Sequence, residues 1–434
     1  MKLLLVAGAR PNFMKIASIV EAIDSYNLTT NAAGNGIDYL VVHTGQHYDE
    51  RMAGTFFRDL KLPRPAVDLE VGSGTHAVQT AEIMKRFEPV LEKERPDAVV
   101  VVGDVNSTIA CALVASKMTF RESGANTRRP LVVHVEAGLR SRDRSMPEET
   151  NRILTDALAD LLFVTEQDAV RNLLREGVPR RRIHMVGNTM VDTLLRHRAR
   201  AGESNILERL GLQAAGPRQT ETAPTGDRPA APYGVVTLHR PSNVDDPAVF
   251  RGILKALVTI GRKLPLIFPI HPRTMARLDE FGLLSQCRLL RADERIENLT
   301  EGLYCIDPLG YLDFLRLVSC AKIVLTDSGG IQEETTVLGV PCVTLRENTE
   351  RPVTVTEGTN VLCGMSTARI LRVASKKLRE PLRPRTPKFW DGKAGERIVG
   401  ILKARISDLS LPATDPERLR IPERGKLSCT TRLP

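Results

Sequence analysis

The residues best equipped for chemistry crowd between Leu131 and Arg152, in LVVHVEAGLRSRDRSMPEETNR. A valine-rich apolar run, the mark of a buried strand, stops on Glu136. Three more carboxylates (Asp143, Glu148, Glu149) and four arginines (Arg140, Arg142, Arg144, Arg152) follow at once. Ligands of open α/β sheets bind beyond the carboxyl ends of the strands, so this strand end is a place to handle protons and anions. A solvated charged loop would have the same composition. Recurrence decides between the two readings, because other strand ends carry equally unusual residues.

Residues 2–7 (KLLLVA) lead to Arg10 and Lys15, a guanidinium and an ammonium near the start of a helix expected over 13–23. Such a pair suits an anionic phosphate. The run 39–43 leads to Thr44-Gly45-Gln46-His47, and 98–102 leads to Gly103-Asp104. Taken alone, Asp104 could equally cap the helix that follows. Further on, strands end in His239 (TLHRP) and His271 (HPRT), and two histidines at successive equivalent positions point to a site. In TDSGGIQEE, Gly329 and Gly330 let the backbone approach a ligand, and the helix-start N–H groups can cradle phosphate. Glu334 sits one turn in, placed to accept from sugar hydroxyls, and Arg351 follows the next strand.

Strands must position these ends. They are expected near 67–71, 161–164, 183–186, 234–238, 266–270, 304–306, 323–326 and 342–345, with helices between them. The alternation argues for parallel, doubly wound sheets, and 434 residues exceed what one core supports. The expected plan is two α/β Rossmann-like domains, 1–200 and 201–380, facing across a cleft. Residues 214–232 read as a flexible insertion, 381–409 as a closing helix packing back, and 410–434 as a mobile tail.

The totals exclude several classes. The chain is 42% hydrophobic and carries a net charge of +9, but its basic residues are scattered and join no nucleic-acid motif. A phosphate-bearing small molecule fits better than DNA or RNA. Seven cysteines lie singly, without disulfide or zinc-ligand spacing, which suggests a reducing compartment. No apolar run reaches the ~20 residues of a membrane helix, so a cytoplasmic protein is expected. Gly72-Ser73-Gly74-Thr75-His76-Ala77 fits a dinucleotide fingerprint, but it follows the third strand rather than the first. No cofactor and no metal are expected.

The chain resembles the non-hydrolysing UDP-N-acetylglucosamine 2-epimerases. The resemblance rests on GARPNFMK, TGQHYD, VVGDVNST, HVEAGLR with PEETNR, VGNTMVD, TLHRP, HPRT, DPLGYLDF, TDSGGIQEE and ENTERPVTVTEGTN, spanning Gly8 to about Gly364. It implies the glycosyltransferase-B arrangement, a homodimer, and interconversion of UDP-GlcNAc and UDP-ManNAc without an added redox cofactor. It assigns Asp104, Glu136, Glu148 and His239 to catalysis, with Arg10, Lys15 and Arg152 at the same centre. It assigns Phe314 to the uracil, and Ser328, Gly329, Gly330, Glu334 and Arg351 to the diphosphate and ribose. His271 would face the nucleotide, and Gln46 and His47 the substrate. Leu309 stands where many bacterial members carry Gln, so a uracil contact there must come from backbone or be lost. Tyr48 and Ser73 depart from members activated by UDP-GlcNAc, which implies weak or absent activation. Four alternatives remain: an epimerase for a 2,3-diacetamido sugar, a hydrolysing relative releasing ManNAc, a UDP-sugar glycosyltransferase, and a nucleotide-sugar sensor.

Overall fold

A computed structural model describes residues 1–30, 36–45, 59–60, 62–121, 127–212, 232–290, 300–381 and 385–410. The apolar runs become strands β1 (Lys2–Ala7), β2 (Asp38–His43), β3 (Val67–Asp68) and β4 (Ala98–Val102). A small antiparallel hairpin, β5 (Phe120–Arg121) and β6 (Thr127–Arg128), precedes β7 (Leu131–Val135), β8 (Leu161–Val164) and β9 (Ile183–Met185). The second half contributes β10 (Gly234–Thr237), β11 (Leu266–Pro269), β12 (Arg288–Leu289), β13 (Leu303–Ile306), β14 (Ile323–Thr326), β15 (Cys342–Thr344) and β16 (Asn360–Leu362).

Two seven-stranded parallel sheets result, ordered β3-β2-β1-β4-β7-β8-β9 and β12-β13-β11-β10-β14-β15-β16. The strands read as continuous apolar runs because helices cover both faces. Leu3 and Leu5 enter one core, while Leu4 and Val6 enter the core on the opposite face. In each sheet the order reverses beside the first strand of that half, between β1 and β4 and between β10 and β14. Crevices for ligands form at such switch points. Arg10, Lys15 and Asp104 follow the first pair, and His239 and the Ser328–Gly330 turn follow the second.

Several expected boundaries move for identifiable reasons. The first helix runs over Arg10–Thr30, well beyond 13–23. The third strand stops at Asp68, because Glu70 and Gly72 adopt left-handed φ of 49° and 73°. The short edge strands β12 and β16 were not anticipated, since two or three residues give no readable period. The last helix is Ala394–Ser410 rather than starting near Trp390. Trp390 lies before it, buried, donating from Nε1 to Thr165 O at 3.1 Å. That last helix packs on Arg10–Thr30, placing Ile398 and Leu402 in the same core as Ile19 and Ile23. The expected insertion, apart from Pro232, and the expected tail, apart from Ser410, lie outside the described residues. Among the described residues no helix is long and apolar enough to cross a membrane.

Candidate active site

Beyond β4 the chain turns through Gly103 at φ +72°, and a Cβ there would sit 2.7 Å from Lys15 Nζ. Glycine thus lets the lysine, on the helix after β1, cross over the end of β4. Lys15 is buried and ion-paired with Glu136, which ends β7 in the left-handed region at φ 71°. A non-glycine residue held there is strained by roughly 1–3 kcal/mol, and the surroundings show what holds it. Gly138 N donates to Asp156 at 3.0 Å, and Asp156 also takes His134 Nδ1 (2.6 Å) and Arg140 (2.7 Å). His134 Nε2 in turn meets Gly103 O at 2.9 Å, tying the ends of β4 and β7 together.

The loop after Glu136 folds onto Glu149, in the first turn of the helix Pro147–Leu158. Glu149 accepts from Ser141 N, Ser141 Oγ and Arg142 N at 3.0, 3.0 and 2.8 Å, and pairs with Arg152 at 2.8 Å. Arg152, buried one turn further, also pairs with Asp104. Asp104 is therefore not the cap of the next helix: that N-cap is Val105, with no side-chain bond. Burial pushes the Asp104 carboxyl up, but Arg152, Lys15 and Arg351 outweigh it and hold the group below its ordinary value. Glu148 sits half-buried beside Glu149. Arg10 begins its helix, and Gln46 and His47 lie outside the described residues.

In the second half a histidine is mounted from behind. His239 Nδ1 lies 3.0 Å from Asp327 Oδ1, and Asp327 is wholly buried. The same carboxylate accepts from His239 N, Arg240 N and Asn243 Nδ2 at 3.0, 2.9 and 3.2 Å. Burial raises Asp327, but His239 and these backbone N–H groups hold it below its ordinary value. The ionised carboxylate makes Nδ1 the donor and leaves Nε2 as the reactive nitrogen. The ring is 43% exposed. His271 stacks near it at 6.1 Å between centroids and caps its own helix, accepting from Arg273 N at 3.2 Å. Leu309 and Phe314, both half-buried, pack with Ile331 against one apolar cluster.

The two halves meet at Arg351, which is buried among three carboxylates: Glu136 at 2.6 Å, Glu350 at 2.5 Å and Glu333 at 2.9 Å. A Cβ on Gly329 would lie 2.4 Å from Arg351 NH1, so this glycine makes room for the arginine. At Gly330 a Cβ would meet Met190 at 3.7 Å, an ordinary contact. Ser328 is the N-cap of the helix Gly329–Leu338 without a side-chain bond, and Glu334 is buried in its second turn. Burial pushes Glu350 up, but Arg351, Arg346 and Arg240 overcome this and leave it strongly lowered. Burial raises Glu333 to about 7 despite Arg351, with Glu136 adding to the rise. Burial and the charge of Glu333 raise Glu166 as well.

The structure thus brings Lys15, Asp104, Glu136, Arg152 and Arg351 into one ionic cluster. His239, His271 and Asp327 form a second group, linked to the first through Arg240, whose guanidinium lies 3.8 Å from Glu350. Sequence reasoning did not single out Asp327, Glu333, Glu350 and Glu166. The placement of Asp327 directly after a buried strand was the available signal; the others depend on partners far away in the chain. Among the described residues no group of three acidic, histidine or cysteine side chains could hold a metal.

The family profile described as UDP-N-acetylglucosamine 2-epimerase matches residues 30–403. The chain is 41% identical over 404 residues to a Methanocaldococcus jannaschii protein named UDP-N-acetylglucosamine 2-epimerase, covering 93% of this chain and 99% of that one. It is 35% identical over 405 residues to a Pseudomonas aeruginosa UDP-2,3-diacetamido-2,3-dideoxy-D-glucuronate 2-epimerase, covering 93% and 99%. The crystal structure of the M. jannaschii enzyme in complex with UDP-GlcNAc and UDP superposes with a TM-score of 0.78 at 39% identity, covering 93% of this chain and 100% of that one.

Proposed function

The chain belongs to the UDP-N-acetylglucosamine 2-epimerase family, and from that premise we propose that it interconverts UDP-GlcNAc and UDP-ManNAc by elimination and re-addition of UDP. The observation that carries the reading is the cluster of Asp104, Glu136, Lys15 and Arg351, in which carboxylates stand beside buried cations. The proton at C2 of the sugar is not next to a carbonyl, so its direct removal is very difficult. Expulsion of UDP builds positive character at C1 and acidifies that proton. A carboxylate from the set Asp104, Glu136 and Glu148 takes the proton, and one of the set returns it to the opposite face.

The departing diphosphate needs positive charge. Lys15, Arg10, Arg351 and the N–H groups after Ser328 supply it, and His239 Nε2, oriented by Asp327, supplies a proton or hydrogen bond. Glu334 accepts from the ribose, Phe314 and Leu309 provide an apolar wall for uracil, and His271 flanks the nucleotide. Gln46, His47 and Arg152 complete the sugar side. The two sheets act as domains, 1–200 and 201–380, that close over the nucleotide sugar while UDP waits for re-addition. We read the enzyme as a cytoplasmic homodimer supplying a precursor of cell-surface polysaccharide, on the strength of the family resemblance alone.

The P. aeruginosa relative favours a second reading, an epimerase of 2,3-diacetamido UDP-sugars. Incubation with each UDP-sugar in D2O separates the two. UDP-ManNAc carrying deuterium at C2 supports the first reading. Turnover of the diacetamido sugar alone supports the second. Retention of the original hydrogen at C2 would replace the elimination mechanism by a hydride-return route.

A further inference from the structure

Behind the loop that joins Glu136 to Glu149 lies a pocket of about 270 Å3, lined by Arg140, Arg142, Arg144, Arg175, Glu149 and Glu176 among others. Its charges are not balanced. Arg140 is buried and committed to Asp156 and, in a two-pronged contact at 2.9 and 2.6 Å, to Glu176. Glu149 is committed to Arg152 and to the amides of Ser141 and Arg142. Arg142, Arg144 and Arg175 remain, all exposed, and among the described residues none of the three pairs with a carboxylate. Three arginines line one concavity, and like charges gathered there repel one another unless an anion sits among them.

The backbone holds one of them there against its preference. Arg142 has φ +60°, a left-handed conformation that a long side chain rarely adopts. Its amide is fixed to Glu149 at 2.8 Å, and the residue lines the pocket. Among the described residues none of the three forms an ion pair with Asp104 or Glu136, whose partners are Arg152, Lys15 and Arg351.

We propose that this pocket binds a small, multiply charged phosphate anion, distinct from the nucleotide sugar, with Arg142, Arg144 and Arg175 as its ligands. Planar guanidinium forks match phosphate oxygens in pairs. The volume suits a diphosphate or a sugar phosphate. One wall is Glu149, the carboxylate that holds Arg152 against Asp104, so the two sites share a residue.

The test is calorimetric titration of the intact protein with inorganic diphosphate, inorganic phosphate and a hexose phosphate, each with and without saturating UDP to block the nucleotide site. Binding of at least one probe should persist in the presence of UDP. It should weaken at least ~10-fold in Arg142→Gln/Arg175→Gln, while UDP affinity in that variant stays unchanged and reports correct folding. Should Arg142→Gln/Arg175→Gln misfold, Arg144→Gln alone must show the weakening. The preferred probe identifies the source: a free inorganic anion or a phosphorylated sugar. Loss of all probe binding when UDP is present, or equal binding by folded variant and wild type, overturns the proposal. If UDP itself failed to bind, the proposed function would fall, yet the wild-type and variant titrations would still read the pocket.

Discussion

The acidic centre of the first half and the histidine centre of the second solve opposite problems. In the first, carboxylates stand against direct cationic partners, Asp104 against Arg152 and the buried Glu136 against Lys15 and Arg351, and Asp104 is held below its ordinary value. In the second, the buried group is Asp327, and the side chain it steadies from behind, His239, is 43% exposed. The contrast teaches that burial alone does not set protonation. Glu350 and Glu333 both face Arg351, but Glu350 has three arginines near it and is strongly lowered, while Glu333 is raised to about 7.

The largest effect expected is on the acidic side. Glu136→Gln and Asp104→Asn should each lower turnover of UDP-GlcNAc by ~100-fold or more, because each removes a proton-transfer group. UDP affinity, measured by calorimetry, should change far less. A mutant that kept its rate would dissolve the contrast between the two centres.

Next comes the pH dependence of stability. The folded pKa of Glu333 stands at about 7 against an ordinary 4.5, so between these values the folded state holds a proton that the unfolded chain has released. Stability is therefore present below about pH 4.5 and falls as pH rises to 7, by at most about 3 kcal/mol from this group. Glu333→Gln should flatten that slope in urea titrations between pH 5 and 8 and stabilise the protein at pH 8. An unchanged slope would mean that the excess proton resides elsewhere, Glu166 being the nearest raised carboxyl.

A smaller effect sharpens the second centre. Asp327→Asn should reduce kcat by ~10–30-fold by disturbing the tautomer and aim of His239, with KM changed less. Equal kcat across pH 6–8 in wild type and variant would deny Asp327 this orienting role. Smallest of all, Phe314→Ala should raise KM for the UDP-sugar by ~3–10-fold through lost contact with the base, leaving kcat nearly intact.

Much of this is legible in the sequence itself. Runs such as AVVVV and LVVHV announce buried parallel strands, and each ends on a residue too polar for the run before it. Glu136 and Asp104 could be picked out for that reason. What stayed hidden were partnerships across the chain. Arg351 reaches Glu136 from the other half, and Glu333 is an ordinary helical glutamate until that arginine arrives. Local pattern also misjudged Asp104 as a possible cap, because its partner Arg152 lies on a different helix. Edge strands β12 and β16 escaped because they are too short for a period to show.

The final helix, Ala394–Ser410, completes a core begun by the first helix of the chain. Gly395 packs against Ser18 O and Ala22, where a Cβ would come within 2.4 Å of that carbonyl. A ribosome delivers the chain from its amino end, so the whole second half must emerge before this helix can dock. During that interval the apolar surface around Ile19 and Ile23 lacks the cover of Ile398 and Leu402, and is open to chaperones or to other nascent chains. The half that is made first is thus the half that matures last.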